Sequence, residues 1–569
     1  MKKIKFLVLL GFALQSCIGS LTSSAYQQHS PNSEVKDSLA FIKNFNVKMP
    51  VIKTPVFKKD TFNITAYGAK NDGIFLNTKA INTAITTCSN KGGGVVLIPG
   101  GLWLSGPIEL KSNVNLHVSR DAILLFTADK SQYKLVEGNW EGQKAVRNQS
   151  PISGQNLVNI AITGKGVIDG NGDVWRAVKK DKLTESQWKN KVNSGGIVSE
   201  DKKLWYPSQS YLKGEQTKDA SIIKPGMSLS DFEDKKDFYR PNMVVLTNCK
   251  VILLQDVTFQ NSPAWCLHPL ICEDITLKNL MVKNPWYAQN GDGVDLESCK
   301  NAMLDGNTFD VGDDGICIKS GRDEDGRKRG IPTENVIVRN NVVYHAHGGF
   351  VIGSEMSGGA KNIFVYKNSF IGTDIGLRFK TTRGRGGVVE KIYISDINMF
   401  DIAGEAILFD MYYAAKDPIP LPGDKNEAPK VVLLPVTVET PQFKDFFIKN
   451  VYCNGAAKAI FIRGLPEMNI NNINFDNLVI QAKKGVEITE ATGISIKNLS
   501  LSVPKTNPLI SVDNSSKISF DSFKSISDYQ TLLNLSGNKT EGISLLNSNV
   551  SKDKITFSAG ALPNALTIK

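Results

Sequence analysis

Apolar and polar residues alternate in short runs along most of the chain, and the runs recur. One set reads "KVILLQDV" (250–257), "DITLKNL" (274–280), "NAMLDGN" (301–307), "NVIVRNN" (335–341), "NIFVYKN" (362–368) and "KIYISDIN" (391–398). It continues with "DFFIKNV" (445–451), "NINFDNL" (472–478), "GISIKNL" (493–499), "KISFDSF" (517–523) and "GISLLNS" (542–548), mostly 21 to 34 residues apart. A second set lies between them: "AWCLHP" (264–269), "GVDLES" (293–298), "GICIKS" (315–320), "GFVIGS" (349–354), "GLRFKT" (376–381), "AILFDM" (406–411) and "AIFIRG" (459–464). Its second and fourth positions are apolar, and its third and fifth vary. Strand periodicity puts the apolar pair on one face and the variable pair on the other.

Units this short cannot bury their own apolar face, so they must stack into a solenoid. No long amphipathic helical pattern separates the strands. The expected fold is all-β, a parallel β-helix whose coils stack about 4.8 Å apart. It should occupy residues 59–569, after an extension at 26–58. Two stretches break the repeat, one charged at 175–240 and one at 412–440. Long loops in a repeat fold are often functional.

The chain begins "MKKIKFLVLLGFALQSCIGSLTSSA". Lys2, Lys3 and Lys5 precede an apolar run too short to cross a bilayer, as in an export signal over residues 1–25. Two processing sites compete. "LQSC" resembles a lipobox, which would leave a lipidated Cys17 anchored in the outer membrane. "SSA" (23–25) resembles ordinary cleavage. The protein is therefore expected outside the cytoplasm: a periplasmic or cell-surface lipoprotein, or secreted. The other seven of the eight cysteines show no metal-site spacing, and their odd number argues against a disulfide framework. Several read as small buried hydrophobes. The formal charge is +11, with no basic block. Nucleic acid is not expected as a partner; an acidic polymer is.

Aligning the second set exposes a cluster. Asp292 and Asp314 each precede the repeat glycine and should stack one coil apart. Asp313 should stack with His347. Arg378 and Lys380 flank the inward Phe379 on the following coil. Ile316 and Ile318 should be core, with Lys319 outward. In this alignment His268 shares the outward column of Lys319 and Lys380. The group spans roughly 14 Å, three strand spacings. Like charges stacked at strand spacing repel, so the fold alone does not favour them. Two carboxyl groups, one protonated and one ionised, suit glycoside hydrolysis. Adjacent Arg and Lys suit a carboxylate-bearing substrate.

In order, these residues read "NGD" (290–292), "GDD" (312–314), "AHG" (346–348) and "RFK" (378–380). They resemble the NTD, GDD, GHG and RxK motifs of glycoside hydrolase family 28, the polygalacturonases. Upstream, "AYGAKNDGIFLNTKAINTAITTC" (66–88) and "GKGVIDGNGDVW" (164–175) resemble the wider pectin lyase-like group. "GSEMSGG" (353–359) and "GLRFKTTRGRGG" (376–387) resemble the bacterial exo-acting branch. The resemblance covers about residues 60–520. It implies a single-stranded right-handed parallel β-helix and inverting hydrolysis of α-1,4-galacturonosyl bonds in pectin. It makes Asp313 the general acid, Asp292 and Asp314 the groups that activate water, and His347 a support for the acid. Asn290, Arg378, Lys380, His268, Lys319 and Tyr412 become substrate-binding candidates, with Tyr413, Trp286 and Tyr287 as further sugar contacts. No metal or cofactor is implied. Two positions depart from the motifs: Gly291 replaces the Thr, and Ala346 replaces the first Gly of GHG. The loops at 175–240 and 412–440 are expected to block one end of the cleft. Three other readings stay open: a rhamnogalacturonan or xylogalacturonan hydrolase, a calcium-dependent lyase, and a non-catalytic carbohydrate-binding solenoid.

Overall fold

The computed structural model describes residues 40–413, 432–504, 506–548 and 550–569. The expected signal over 1–25, Cys17 and residues 414–431 of the second excursion lie outside them. Two units are present, dividing between Met49 and Pro50. The described part of the first holds one short helix over 40–45.

The second unit is a right-handed parallel β-helix. Each complete coil contributes strands to three parallel ladders. The first ladder holds the second sequence set: Leu267–Leu270, Val294–Glu297, Ile316–Lys319, Gly348–Ile352 and Ile375–Lys380 pair in turn. The second ladder holds the first set, as in Glu273–Lys278, Lys300–Asp305 and Thr333–Arg339. The third was not legible as a set. Its strands, such as Thr258–Gln260, Met281–Lys283 and Thr308–Asp310, have three residues and one inward side chain each, too short to show a period. Phe259, Val282 and Phe309 form that inward column, all fully buried. One continuous core runs the length of the stack.

Ile316 and Ile318 are core, as expected. All seven cysteines among the described residues are free and buried, and most lie in that core. Burial pushes the Cys88 thiol up to about 11. A helix at Thr78–Asn90 departs from the all-strand expectation. Its Ala80, Ile81, Ala84, Ile85 and Cys88 are buried. It caps the open end of the core, as terminal units of solenoids must. Thr and Asn make up much of its other face, which hid its helical period. Residues 50–58 are also not a free extension: Val56 N–H donates to Asn159 Oδ1 at 2.9 Å.

The excursion at 175–240 folds into helices Glu185–Asn193 and Gln209–Glu215 and a small antiparallel sheet. It props an antiparallel hairpin, Leu135–Trp140 with Gln143–Asn148. Leu135 and Val146 of the hairpin pack with Phe232 and Tyr239 of the excursion. Asn148 Nδ2 donates to the Lys236 and Tyr239 carbonyls at 2.7 and 2.9 Å.

Candidate active site

Register in the first ladder decides which side chains meet. Val294 pairs with Ile316, and Ile316 with Phe350. Asp292 therefore lies over Asp314, and Asp313 over His347. The main chain closes these steps: Gly293 N–H donates to the Asp314 carbonyl at 2.9 Å, and His347 N–H to the Asp313 carbonyl at 3.0 Å. A carboxylate oxygen from each of Asp292, Asp313 and Asp314 lies within 4.8 Å of the others.

Asp314 is held by both cations, Arg378 Nη1 at 3.1 Å and Lys380 Nζ at 2.7 Å. Burial opposes its charge, but Lys380 and then Arg378 hold it below the usual carboxylate range. Glycine at 348 makes this contact possible. A Cβ there would meet Val351 Cγ2 and stand 3.3 Å from both Arg378 Cδ and Asp314 Oδ1. Gly348→Ala is expected to displace Arg378 and to lower kcat about tenfold to a hundredfold, the scale of a small misplacement. Unchanged steady-state kinetics would contradict this.

Asp313 and His347 form a second pair, Oδ1 to Nδ1, at 3.2 Å. They are only part-buried and face the solvent side of the site, His347 at 32% and Asp313 at 22% side-chain exposure. Burial opposes both charges. His347 nevertheless holds Asp313 far below the ordinary range, and Asp313 followed by Asp374 raises His347 to about 9. Asp374 Oδ2 stands 3.7 Å from His347 Nε2. Near neutral pH the proton of this pair rests on His347. The resemblance makes Asp313 the general acid and His347 its support, and the structure sets the two side chains in contact.

Asp292 is the opposite case. It is buried, its Oδ1 has no partner, and burial, then Asp295, then Asp313 push its pKa well above the usual range. Of the three site carboxyls it is the one whose protonated form its surroundings favour. The two groups expected to position and activate the water are thus pushed in opposite directions, Asp292 up and Asp314 down.

The other candidates are scattered more widely. Lys319 is buried against Glu355 at 2.7 Å and Asp295 at 3.7 Å, with its ammonium 4.9 Å from the Trp265 ring. His268 is not in the Lys319 column. Leu267 pairs with Val294, which puts His268 beside Asp295 and in the column of Arg378. The expected alignment was two residues out, and a slip of two preserves which side chains face inward. His268 is engaged on both ring nitrogens, by Glu297 at 2.9 Å and Asn242 at 3.1 Å. Asn290 accepts from Arg240 Nη2 at 2.9 Å. Tyr412 turns from the site: Arg383 and Arg463 each lie 5.3 Å from its ring. Its neighbour Tyr413 has the ring beside Arg378 and Lys380, at 5.7 and 4.9 Å. Trp286 is exposed beneath Lys182. Gly291 sits against Ala288, where a Cβ would come within 2.8 Å of Ala288 Cβ. Ala346 is core.

Sequence reading missed Asp295, Glu297, Glu355, Asp374, Arg240 and Trp265. Asp374 was legible: it occupies the same place before its repeat glycine as Asp313 and His347. Asp295 is the outward third position of "GVDLES". Arg240 stands outside the repeat and left no periodic signal.

The hairpin roofs this face. Its Asn139 donates to Glu297 at 3.3 Å, Glu141 pairs with Arg322 at 2.8 Å, and the Gly142 carbonyl accepts from Arg322 N–H at 3.3 Å. The amino-terminal side of the groove is covered up to the coil of Lys319. The expected block by residues 175–240 is indirect: those residues brace the hairpin that does the covering.

Residues 228–457 match the family model "Glycosyl hydrolases family 28", and residues 61–223 match "Rhamnogalacturonase A/epimerase, pectate lyase-like". The chain is 28% identical over 453 residues to an exo-poly-alpha-D-galacturonosidase of Dickeya chrysanthemi, covering 77% of this chain and 70% of that protein. It is 27% identical over 448 residues to a probable polygalacturonase of Vitis vinifera, covering 76% and 78%. Among solved structures, an exopolygalacturonase of Thermotoga maritima superposes with a TM-score of 0.62 at 30% identity, over 76% of this chain and 89% of that one. Together with the stacked aspartates on a parallel β-helix, this places the chain in glycosyl hydrolase family 28, as a glycoside hydrolase.

Proposed function

We propose that this glycoside hydrolase is an exo-acting polygalacturonase, cleaving α-1,4-galacturonosyl bonds of pectin from a chain end by inversion. The observation that carries the reading is the hairpin's closure over the groove at the coils of Asp292 and Asp314, where it meets Glu297 and Arg322, beside a cluster that sets two cations against three carboxyls. A polymer cannot thread past the roof, so a chain end must enter.

The mechanism follows from the charges. A water making two hydrogen bonds of about 2.8 Å bridges oxygens nearly 5 Å apart. The space between Asp292 and Asp314 suits one such water. Ionised Asp314 takes its proton; neutral Asp292 orients it. Asp313 delivers the proton that His347 holds to the leaving oxygen. Arg378 and Lys380 keep Asp314 charged and attract the uronate.

A pH profile checks the donor. Because His347 keeps its proton up to about 9, the alkaline limb of kcat/KM should fall as pH rises through that region. Asp374→Asn removes one of the charges that raise His347, so the limb should move to lower pH. An unmoved limb would separate Asp374 from the donor.

Substrate and cleavage mode are tested by product chain length at low conversion on polygalacturonate and rhamnogalacturonan. Mono- or digalacturonate alone from polygalacturonate is expected. A ladder of mixed oligomers, or preference for rhamnogalacturonan, would overturn the assignment.

Export rests on the leader alone. Lipidation at Cys17 is the proposed form, giving outer-membrane attachment. Mass spectrometry of the mature amino terminus tests it: a diacylglyceryl Cys17 supports the anchor, and an unmodified terminus at Tyr26 supports secretion instead.

A further inference from the structure

Lys380, Asp410 and Arg463 take the fifth position of three successive members of the second sequence set, and they pair coil over coil in the first ladder. Opposite charges face each other across the second of these steps. The Arg463 fork closes on Asp410 at two points, Nε to Oδ1 at 2.9 Å and Nη2 to Oδ2 at 2.8 Å. A two-point contact fixes direction as well as distance. The same Asp410 Oδ1 accepts the Tyr412 N–H at 3.0 Å. The turn that leaves the strand is thus tied at every residue. Met411 N–H donates to the Arg463 carbonyl and Tyr413 N–H to the Thr381 carbonyl, both at 3.0 Å.

Tyr412 is also flanked by a second fork. Arg383 lies at the same 5.3 Å from its ring as Arg463 does. Arg383 is itself locked to Glu467, through Nε at 2.6 Å and Nη2 at 2.9 Å. With Tyr412 held, the ring of the next residue has a set place. Tyr413 stands 4.9 Å from Lys380 Nζ and 5.7 Å from Arg378 Cζ. Both cations are buried, and the ring beside them is part-exposed. A ligand drawn to those charges from that side meets Tyr413.

Arg463 itself stands two strand spacings beyond Lys380, about 9.6 Å along the axis, and touches none of the three aspartates of the site. We propose that it is a positioning residue for substrate. Through Asp410 and the 411–413 turn it sets the Tyr413 ring against a sugar whose carboxylate is drawn to Arg378 and Lys380. That the sugar is a galacturonate rests on the galacturonan reading above; the placing of Tyr413 by Arg463 does not.

Arg463→Gln loses the fork and should raise KM on polygalacturonate about five- to tenfold, the scale of one lost aromatic contact. kcat should stay within about twofold, since the contact is made before and during reaction alike. A fault confined to the scaffold would not depend on Tyr413, so a double-mutant cycle separates the two. In a Tyr413→Ala background, where KM is already raised, Arg463→Gln should add less than about twofold. Its effect on the unfolding midpoint should be the same in both backgrounds. Arg463→Lys keeps the charge but not the fork, and its KM should lie between; the cycle is run with it if the Gln variant fails to fold. Crystals of either variant should show the Tyr413 ring displaced from Lys380. An unchanged KM in both Arg463 variants, KM effects that multiply in full across the two sites, or a raised KM with the Tyr413 ring in place would each overturn the proposal. If the unmodified protein cleaves no polygalacturonate, the galacturonan reading fails. The crystals then decide the placing by themselves: a displaced ring supports it, and a ring left in place overturns it.

Discussion

Asp313→Asn should lower kcat on polygalacturonate by about 10²- to 10⁴-fold, the usual contribution of a positioned general acid, with KM nearly unchanged. Asparagine keeps the size and the contact to the Asp314 N–H, which Asp313 Oδ1 accepts at 2.9 Å. What it removes is the relay. An amide cannot take the proton from His347 and pass it to the leaving oxygen. His347 also loses the first of the charges that raise its pKa to about 9, and so loses its own proton at lower pH. Steady-state kinetics with the pH profile check both consequences. A variant with intact kcat would remove Asp313 from the chemistry and leave only a structural pair.

Asp314→Ala has two large effects of different kinds. It removes the carboxylate assigned to take the water's proton, so kcat should fall by about 10² or more. It also strands Arg378 and Lys380, both buried and both paired with that carboxylate. Breaking a buried pair by removing one partner costs about 3–5 kcal/mol. Denaturant unfolding followed by tryptophan fluorescence should register that loss. Asp313→Asn should show little of it, since Asp313 and His347 are part-exposed and water can replace the contact. A destabilised Asp313→Asn beside a stable Asp314→Ala would reverse the roles assigned to the two neighbours.

The solenoid and the stacked aspartates were legible because a period of two is read directly from inward Val294, Leu296, Ile316 and Ile318. The same periodicity misplaced His268 by two residues, since such a slip leaves every side chain on its proper face. The third ladder escaped because its strands carry one inward residue each. The helix at Thr78–Asn90 escaped because its buried face is narrow and partly alanine. Charge states were beyond sequence altogether. Adjacent Asp313 and Asp314 differ in what holds them, an imidazole for one and two cations for the other. The Asp292 carboxyl is pushed up first by its own burial and then by Asp295, an unremarked strand residue buried beside it. The roof over the groove comes from Leu135–Asn148, a hairpin outside the repeat, whose contacts to Glu297 and Arg322 span more than 150 residues of chain.

Proton NMR of the anomeric region during the first turnovers on polygalacturonate tests the central claim most directly. Attack by a water held between Asp292 and Asp314 predicts β-galacturonate as the first signal, released as one small product and equilibrating to α only later. An α signal appearing first, or unsaturated sugar ends, would contradict the single-displacement account of this site.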